Sequence, residues 1–419
     1  MESREFAVEV VKTLQAAGHS ALWAGGCVRD QLLNRTPKDY DVATSADPQQ
    51  VRSVFGKHRT LPIGASFGVI TVLGPKGSGV DPIEVATFRR DGGYSDGRRP
   101  DAVEFTDAKE DALRRDFTIN GMFFDPVESE VIDYVGVKED LAARVVRAIG
   151  DPSERIEEDK LRMLRAVRFA STLEFELESA TLEAVQRYAS QISVVSGERI
   201  GAEMRRMLAG ANPALAMELL KQSKLLPEIL PRTELLIENS ESWNSILRGL
   251  EKLEGSNFST AAAIALQPII AEQGIGDIAQ RWKLSNQEKK SIDWIVNNWQ
   301  TLVSADQKKW SEVQPKLLSP DAVGALTVGS AIARACSPEN SKMLAGIEFS
   351  RQRLAWPLER LDPKPLLDGA ELIAMGIERG PKFKQILDKV RRAQLDGEIE
   401  TVAQAKELAK ELAKGGKAN

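Results

Sequence analysis

Short apolar runs separated by turn residues fill the first third of the chain, and they predict the strands of a small sheet. They are ALWA (21–24), DYDVAT (39–44), GVITVLG (68–74), PIEVATF (82–88), FTINGMFFD (117–125) and VIDYVG (131–136). Beyond about residue 140 the apolar residues recur at helical spacing, as in EEDKLRMLRAVRFASTL (157–173) and RIGAEMRRMLAG (199–210). The pattern predicts an α+β chain in which a small mixed sheet with flanking helices is followed by helices alone.

Composition limits the kind of protein that this pattern can build. At 419 residues and 42% hydrophobic content, the chain is long enough for more than one packed unit. A net charge of −5 excludes a protein that binds nucleic acid over its whole surface, so any RNA contact must be local. Two histidines are too few for catalysis by clustered imidazoles.

Two further absences concern the compartment. With Cys27 and Cys336 as its only cysteines, the chain lacks the means for a disulfide framework, which fits a reducing environment. No apolar run reaches about 18 residues, so we expect no membrane-spanning segment. Together these features predict a cytoplasmic protein.

The segment ALWAGGCVRDQLLNRTPKDYDVAT (21–44) predicts a strand, a Gly-Gly turn, a short helix, a turn and a second strand. Gly25 and Gly26 have no Cβ atoms to hold a triphosphate away from the backbone, and the helix start offers free N–H groups. On a strand, Asp39 and Asp41 would point to one face about 7 Å apart. Such carboxylates suit Mg²⁺, which takes one or two of them together with substrate phosphates. An isolated pair of this kind more often simply opens a strand.

Two later segments carry charged residues suited to a nucleotide. In RRDFTIN (114–120), a strand-like run, Arg115 offers a forked donor set for phosphate, while Asp116 and Asn120 can accept from a ribose hydroxyl. In GDPSERIEEDKLRMLRAVRF (150–169), Asp159 and Arg162 lie one turn apart on a predicted helix, so that both side chains share a face. Surface charge runs and salt-bridged helix faces are the structural alternatives.

Taken together, these segments resemble the class II tRNA nucleotidyltransferase and bacterial poly(A) polymerase family, within the DNA polymerase β superfamily. The resemblance is specific over about residues 20–210 and general beyond. It implies that Asp39 and Asp41 bind two Mg²⁺ ions and that Glu84, in PIEVATF, is a third catalytic carboxylate. An ordinary strand acid is the alternative for Glu84. The residues that the resemblance implies for nucleotide binding are Gly26, Arg29, Arg115, Asp116, Asn120, Asp159, Arg162, Arg165 and Arg168.

The resemblance also implies that Asp159 and Arg162 replace a nucleic acid template. A carboxylate only accepts hydrogen bonds and a guanidinium only donates them. Cytosine and adenine both present an exocyclic amine beside an acceptor ring nitrogen, which matches this pair. Uracil and guanine instead present a carbonyl beside a ring N–H. Their carbonyl would face the Asp159 carboxylate, acceptor against acceptor, and their N–H would face the Arg162 guanidinium, donor against donor.

The stretch TFRRDGGYSDGRRPDAVEF (87–105) resembles the flexible loop that repositions the site for A addition in this family. A loop that moves needs permissive glycines, and Gly92, Gly93 and Gly97 supply them. Its basic residues are Arg89, Arg90, Arg98 and Arg99. The stretch therefore argues against an enzyme that adds only CC.

The expected organisation is a nucleotidyltransferase head (1–140), a helical neck with the base-reading motif (141–210) and an elongated helical body and tail (211–419). An acidic chain that binds tRNA still needs local positive surface, and PKFKQILDKVRR (381–392) is its most basic run. The weak RNA-binding candidates there are Lys382, Lys384, Lys389, Arg391 and Arg392. A solvated helix face is the alternative.

The function implied by the resemblance is addition of CMP, CMP and AMP to the 3′ end of tRNA, with CTP and ATP as substrates and no obligate protein partner. A bacterial-type poly(A) polymerase or an A-adding-only enzyme is the alternative of the same class. A non-catalytic RNA-binding relative is the alternative of a different class, and the intact set of charged motif residues disfavours it.

Overall fold

The computed structural model describes residues 2–92, 103–255, 257–336 and 338–414. The chain forms two compact units, Met1–Pro231 (unit 1) and Arg232–Asn419 (unit 2).

Unit 1 contains the sheet of the described chain. Its strands are β1 (Ala21–Ala24), β2 (Asp41–Thr44), β3 (Thr60–Leu61), β4 (Val69–Val72), β5 (Ile83–Thr87), β6 (Arg89–Asp91), β7 (Val103–Phe105), β8 (Met122–Asp125), β9 (Glu130–Asp133), β10 (Val145–Val146) and β11 (Glu176–Leu177). Seven of the described strands form one mixed sheet in the order β3-β4-β5-β2-β1-β8-β9, in which β2 and β5 run parallel. The remaining strands pair as β6-β7 and β10-β11.

Alternation of side chains fixes the faces of this sheet. In β5, Ile83 and Val85 are buried while Glu84 between them is exposed, as the period of two requires. Strand β1 is buried throughout because it lies inside the sheet and under the first helix. That placement leaves the polar positions of β2 and β5 on the open side, where a site can form.

The helices of unit 1 surround the sheet and continue beyond it. They are α1 (Ser3–Ala16), α2 (Gly26–Leu32), α3 (Pro48–Phe55), α4 (Ala108–Leu113), α5 (Val137–Ala143), α6 (Pro152–Glu158), α7 (Arg162–Leu173), α8 (Ser179–Tyr188), α9 (Gly197–Leu208), α10 (Pro213–Gln222) and α11 (Leu226–Ile229). Helix α7 buries one apolar stripe that includes Met163, Leu164 and Val167, which leaves its arginines on the other face.

Unit 2 is helical throughout its described part. Its helices are α12 (Glu234–Ile237), α13 (Ser240–Glu251), α14 (Phe258–Gln273), α15 (Gly276–Arg281), α16 (Asn286–Leu302), α17 (Trp310–Leu317), α18 (Ala322–Ala335), α19 (Ser341–Leu354), α20 (Leu358–Leu361), α21 (Gly369–Ala374), α22 (Pro381–Leu395) and α23 (Val402–Lys414). Helices α21 to α23 share a small core around Leu372, Ile386 and Val390. None of the described helices combines the length and apolarity that a bilayer crossing requires.

The predicted α+β class, a mixed sheet followed by helices, is confirmed. Three local predictions are wrong. Asp39 precedes β2 instead of lying in it, because the ladder to β5 begins at Asp41. Residues 118–120 form a 3₁₀ turn, not a strand. The predicted helix 157–173 is broken between Glu158 and Arg162, because the Asp159 carboxylate accepts from Leu161 N at 3.0 Å and so competes with the helical hydrogen bonds.

Two predictions stay open. Of the predicted loop, Gly93, Gly97, Arg98 and Arg99 lie outside the described residues. The three-part division at 140 and 210 also stays a prediction.

Candidate active site

A cavity of about 760 Å³ opens in unit 1, where the sheet meets α2, α7 and α9. All the residues predicted for catalysis or nucleotide binding line it. They are Gly26, Arg29, Asp39, Asp41, Glu84, Arg115, Asp116, Asn120, Asp159, Arg162, Arg165 and Arg168. The sheet supplies Asp41 and Glu84, and the helices supply most of the arginines. Two further carboxylates of the lining, Asp116 and Asp159, are paired with arginines.

The Gly-Gly turn forms the floor next to β1. Gly25 has φ +70°, which an L side chain rarely adopts, and an added Cβ there would lie 3.1 Å from Arg115 Nη1. Gly26 begins α2, whose first N–H groups have no side-chain cap. One turn later Arg29 donates from Nη1 to Asn120 Oδ1 at 2.7 Å and from Nε to Asp30 Oδ1 at 2.9 Å. Because Gly25 and Gly26 have no Cβ atoms, the backbone of this turn can approach a bound anion closely.

Three carboxylates face the cavity without partners. Asp41 pairs in register with Glu84 across the parallel strands β2 and β5, and Asp39 lies just before β2. None of the three accepts a hydrogen bond or ion pair from a side chain in the described part of the chain. Burial, followed by the charges of Asp39 and Glu84, raises the pKa of Asp41 to about 6. Asp41 keeps access to solvent, which screens part of that repulsion.

Behind these acids, one buried carboxylate holds two arginines. Asp111 is 1% exposed. Its Oδ1 accepts from Arg114 at 2.6 Å and its Oδ2 accepts from Arg115 at 2.9 Å. Asp111 also accepts from the backbone N–H of Arg89, in β6, at 3.2 Å. Arg115 then reaches the carbonyl of Asn120 at 3.1 Å, so its guanidinium is fixed at the cavity wall.

Asp116 and Asn120 form a buried polar pair beside this arginine. The Asp116 carboxylate accepts from Asn120 Nδ2 at 3.2 Å and from Arg165 Nε at 2.7 Å. Burial by itself raises the pKa of Asp116, but Arg165 and the hydrogen bonds outweigh it and hold that pKa below its ordinary value. Asp116 is 8% exposed, so it borders the cavity while bonded to protein groups. A ribose contact by Asp116 stays a prediction.

The predicted base-reading pair is held by other partners. Arg199, at the start of α9, binds Asp159 with two hydrogen bonds, Nη1 to Oδ1 at 3.1 Å and Nη2 to Oδ2 at 2.6 Å. Arg162 instead bonds Glu158 and the carbonyl of Arg155. Asp159 and Arg162 therefore flank the cavity across the break between α6 and α7, and do not form a pair on one helix face.

An aromatic ring organises the remaining arginines. Phe169 lies under Arg168 at 3.8 Å and Arg165 at 5.3 Å, measured from the guanidinium carbon to the ring centroid. Arg168 also donates to Glu203, which is 2% exposed and is shared with Arg206. Burial, only partly offset by Glu203, lowers the pKa of Arg168. The wall is ordered by the protein before any ligand binds.

Sequence reasoning missed several residues that line or support the cavity. They are Arg89, Asp111, Arg114, Phe169, Arg199, Glu203 and Arg206. Arg199, Glu203 and Arg206 recur at helical spacing in the segment 196–208, and that charged stripe was the available signal. Asp111 carried the same signal, because its partners Arg114 and Arg115 lie three and four positions later. Its burial could not be read from that spacing.

The five basic residues predicted for RNA lie on α22 in unit 2. Lys382, Lys384, Lys389 and Arg392 are exposed. Arg391 is half-buried and pairs with Asp362 at 2.7 Å, so it has a structural partner.

Comparison with known proteins gives the family. Residues 21–147 match the model of the poly A polymerase head domain, and residues 174–236 match the model of the probable RNA and SrmB-binding site of polymerase A. The CCA-adding enzyme of Limosilactobacillus reuteri is 32% identical over 93% of this chain and 92% of its own length. The chain belongs to the family of CCA-adding enzymes.

Other members support this placement. The CCA-adding enzyme of Anoxybacillus flavithermus is 42% identical over 56% of this chain and 58% of its own length. The crystal structure of the Bacillus stearothermophilus CCA-adding enzyme in complex with CTP has a TM-score of 0.78, covers 99% of both chains and is 28% identical. The predicted family and enzyme class, tRNA nucleotidyltransferase, are confirmed.

Proposed function

We propose that this protein rebuilds the 3′ end of tRNA, adding CMP, CMP and AMP from CTP and ATP and releasing pyrophosphate. The observation that carries the proposal is that Asp39, Asp41 and Glu84, which have no side-chain hydrogen-bond or ion-pair partner in the described chain, line one cavity together with several arginines. The relatives are named for CCA addition, and one related crystal structure holds CTP.

The acids fit a divalent cation, which family membership suggests. Burial and then the charges of Asp39 and Glu84 raise the pKa of Asp41, and a bound cation would offset the repulsion among the three carboxylates. No group of three or more His, Cys, Asp or Glu in the described residues forms a metal site alone, so we infer that substrate phosphates complete the ligand set. Two Mg²⁺ ions held by Asp39 and Asp41 would activate the RNA 3′-OH and neutralise the leaving pyrophosphate.

The protein groups then have separate roles. The triphosphate binds near the uncapped start of α2 and the guanidinium of Arg115, both of which favour negative charge. The RNA hydroxyl oxygen forms a bond to the α-phosphorus as the bond to pyrophosphate breaks. Glu84, in register with Asp41, adds negative charge at the same edge.

Base choice falls to Asp159 and Arg162. Each is bonded to a protein group, Arg199 and Glu158 respectively, so neither group is left unpaired before the nucleotide arrives. A base with an amine beside an acceptor nitrogen can bond to both, whereas uracil and guanine present the opposite pattern. We propose that these two side chains select C and A.

The tRNA needs a wider surface than the cavity. We propose that the exposed basic residues of α22 contact its phosphates and that residues 211–419 contain the body and tail of the expected three-part organisation. Recognition would rest on the shape of the acceptor arm and on contacts with 2′-OH groups.

The test uses tRNA lacking CCA, tRNA lacking only the final A, and intact tRNA, each with CTP, ATP or both. Full CCA addition predicts that CTP alone extends the first substrate by two nucleotides and that CTP with ATP extends it by three. It also predicts that ATP extends the second substrate by one nucleotide and that the third is not extended. Asp41→Asn, which keeps the shape of the side chain, is the matched control and should abolish extension of the first two substrates.

The same experiment separates the alternatives. An A-adding-only enzyme extends only the tRNA that lacks A. A poly(A) polymerase adds many residues from ATP to the intact tRNA. Either result overturns the proposal.

A further inference from the structure

Two arginines of unit 2 gather around one tryptophan where α19 ends and α20 begins. Arg360 lies over the Trp356 ring at 3.8 Å from its centroid, and Arg353 lies 5.2 Å from the same centroid. Arg353 also lies over Phe349, and the rings of Trp310 and Trp356 are 5.6 Å apart. We call these residues the Trp356 cluster: Trp310, Phe349, Arg353, Trp356 and Arg360.

The two guanidiniums have no acidic partner. Within the described ranges, no carboxylate oxygen lies within 4.0 Å of a guanidinium nitrogen of Arg353 or Arg360. Arg353 donates to the carbonyl of Phe349 at 3.1 Å, which leaves its charge uncompensated. Partial burial and then the charge of Arg360 lower the pKa of Arg353. Two like charges are therefore held side by side, an arrangement that an anion would stabilise.

Stacking determines which anion fits. A guanidinium over an aromatic face is ordered without using its edge N–H groups, and those donors match phosphate oxygens in pairs. The indole of Trp356 already carries Arg360 on its ring, so stacking of a nucleobase on that ring is less favoured than phosphate binding by the cations. Arg360 is exposed and Arg353 is half-buried, so a chain of phosphates can reach both.

We propose that Arg353 and Arg360 bind the phosphate backbone of an RNA, at a site distinct from the basic face of α22. The inference rests on the proposed function, because the RNA is taken to be the tRNA substrate. The aromatic rings hold the two cations in place before binding, so that little side-chain entropy is lost when the RNA arrives.

The decisive variant is Arg353→Gln/Arg360→Gln. Its matched control is Lys289→Gln/Lys290→Gln, which removes two exposed charges from α16 in the same unit. Affinity for tRNA lacking CCA is measured by filter binding over a range of salt concentrations. We expect at least tenfold weaker binding and a slope of log affinity against log salt smaller by about 2 for the arginine variant only. The KM for CTP at saturating tRNA should not change.

Other results overturn the proposal. Equal losses in both double variants would mean that net charge alone matters. Unchanged tRNA affinity, with a loss of inorganic phosphate binding measured by calorimetry, would make this a site for free anions. The variant Arg353→Lys/Arg360→Lys keeps both charges and so controls for misfolding of the glutamine variant. Its affinity for tRNA should lie between that of the wild type and that of the glutamine variant. Extension of tRNA by the wild type in parallel reports on the proposed function independently.

Discussion

Asp41 illustrates how a functional residue can oppose stability. Its pKa in the folded protein is raised to about 6, above the ordinary value of 3.8. A carboxyl group whose pKa is higher in the folded than in the unfolded state stabilises the fold at pH values below its unfolded pKa. For Asp41 this contribution is lost as the pH rises through about 6. At neutral pH the charged Asp41 therefore favours the unfolded chain, unless a cation is bound.

We predict that Asp41→Asn abolishes nucleotide addition and raises the melting temperature at pH 7.5 without divalent metal. The gain should shrink at pH 4, where Asp41 is largely protonated in the wild type. Mg²⁺ should stabilise the wild type but not the variant. Calorimetric melting with and without metal tests this, with the exposed turn residue Glu128→Gln as control.

The turnover of the Asp41→Asn variant tests the metal-binding role of this residue. Turnover above about a tenth of wild type, which corresponds to only about 1.4 kcal/mol, would contradict a metal-binding role for Asp41. A melting temperature that falls at pH 7.5 would contradict the electrostatic argument.

The base-reading residues make a sharper prediction. Asp159→Ala leaves the exocyclic amine of C or A without an acceptor, which should cost about 1–3 kcal/mol of transition-state binding. Discrimination against UTP should shrink at the same time, because the repulsion between the carboxylate and O4 of uracil is gone. The measurement compares kcat/KM for CTP, ATP, UTP and GTP on one tRNA.

Arg199→Met provides a second test of the same idea. Arg199 fixes both carboxylate oxygens of Asp159, so its loss should reduce discrimination in the same direction but less. If either variant slows all four nucleotides by one common factor, the residue supports the fold and does not read the base.

Helix α4 shows how one element joins two parts of the site. Asp111 on α4 holds Arg114 and Arg115 and also accepts from the backbone of β6. Burial raises its pKa, but Arg115 and Arg114 outweigh that effect and lower it, so Asp111 is a charged anchor. One buried carboxylate thus positions two arginines that line the cavity.

We predict that Asp111→Asn raises the KM for CTP by about tenfold, because Arg115 loses its charged anchor. The free energy of unfolding should fall by about 3 kcal/mol, the usual order for breaking a buried ion pair. Glu110→Gln, a neutralised acid on the same helix, is the matched control. A stability loss with an unchanged KM for CTP would show that Asp111 acts on the fold alone.

At the scale of the molecule, the cavity belongs wholly to unit 1. All of its lining residues lie within Met1–Pro231, which has its own sheet and buried core. We predict that a chain ending at residue 231 binds CTP with nearly unchanged affinity, while its tRNA affinity falls at least about tenfold because the basic residues of unit 2 are gone. Calorimetry with CTP and filter binding with tRNA measure the two effects. Loss of CTP binding by a folded short chain would contradict the prediction.

Much of the fold and the composition of the site could be predicted from the sequence. Alternating apolar residues located β1, β4, β5 and β9 to within a few positions, because strand periodicity is a local property of the chain. Every residue that the family resemblance implies for catalysis or nucleotide binding lines one cavity, while its role there stays a prediction.

Only the tertiary structure decided those partners within the cavity that lie far apart in sequence. Asp159 binds Arg199, 40 positions away in sequence, and not Arg162, because the fold brings the Arg199 guanidinium within 2.6 Å of its carboxylate. Asp111 became a buried anchor only when β6 and α4 packed together. Local sequence encodes periodicity, capping and turn chemistry, whereas the partners of long charged side chains depend on distances that exist only in the folded chain.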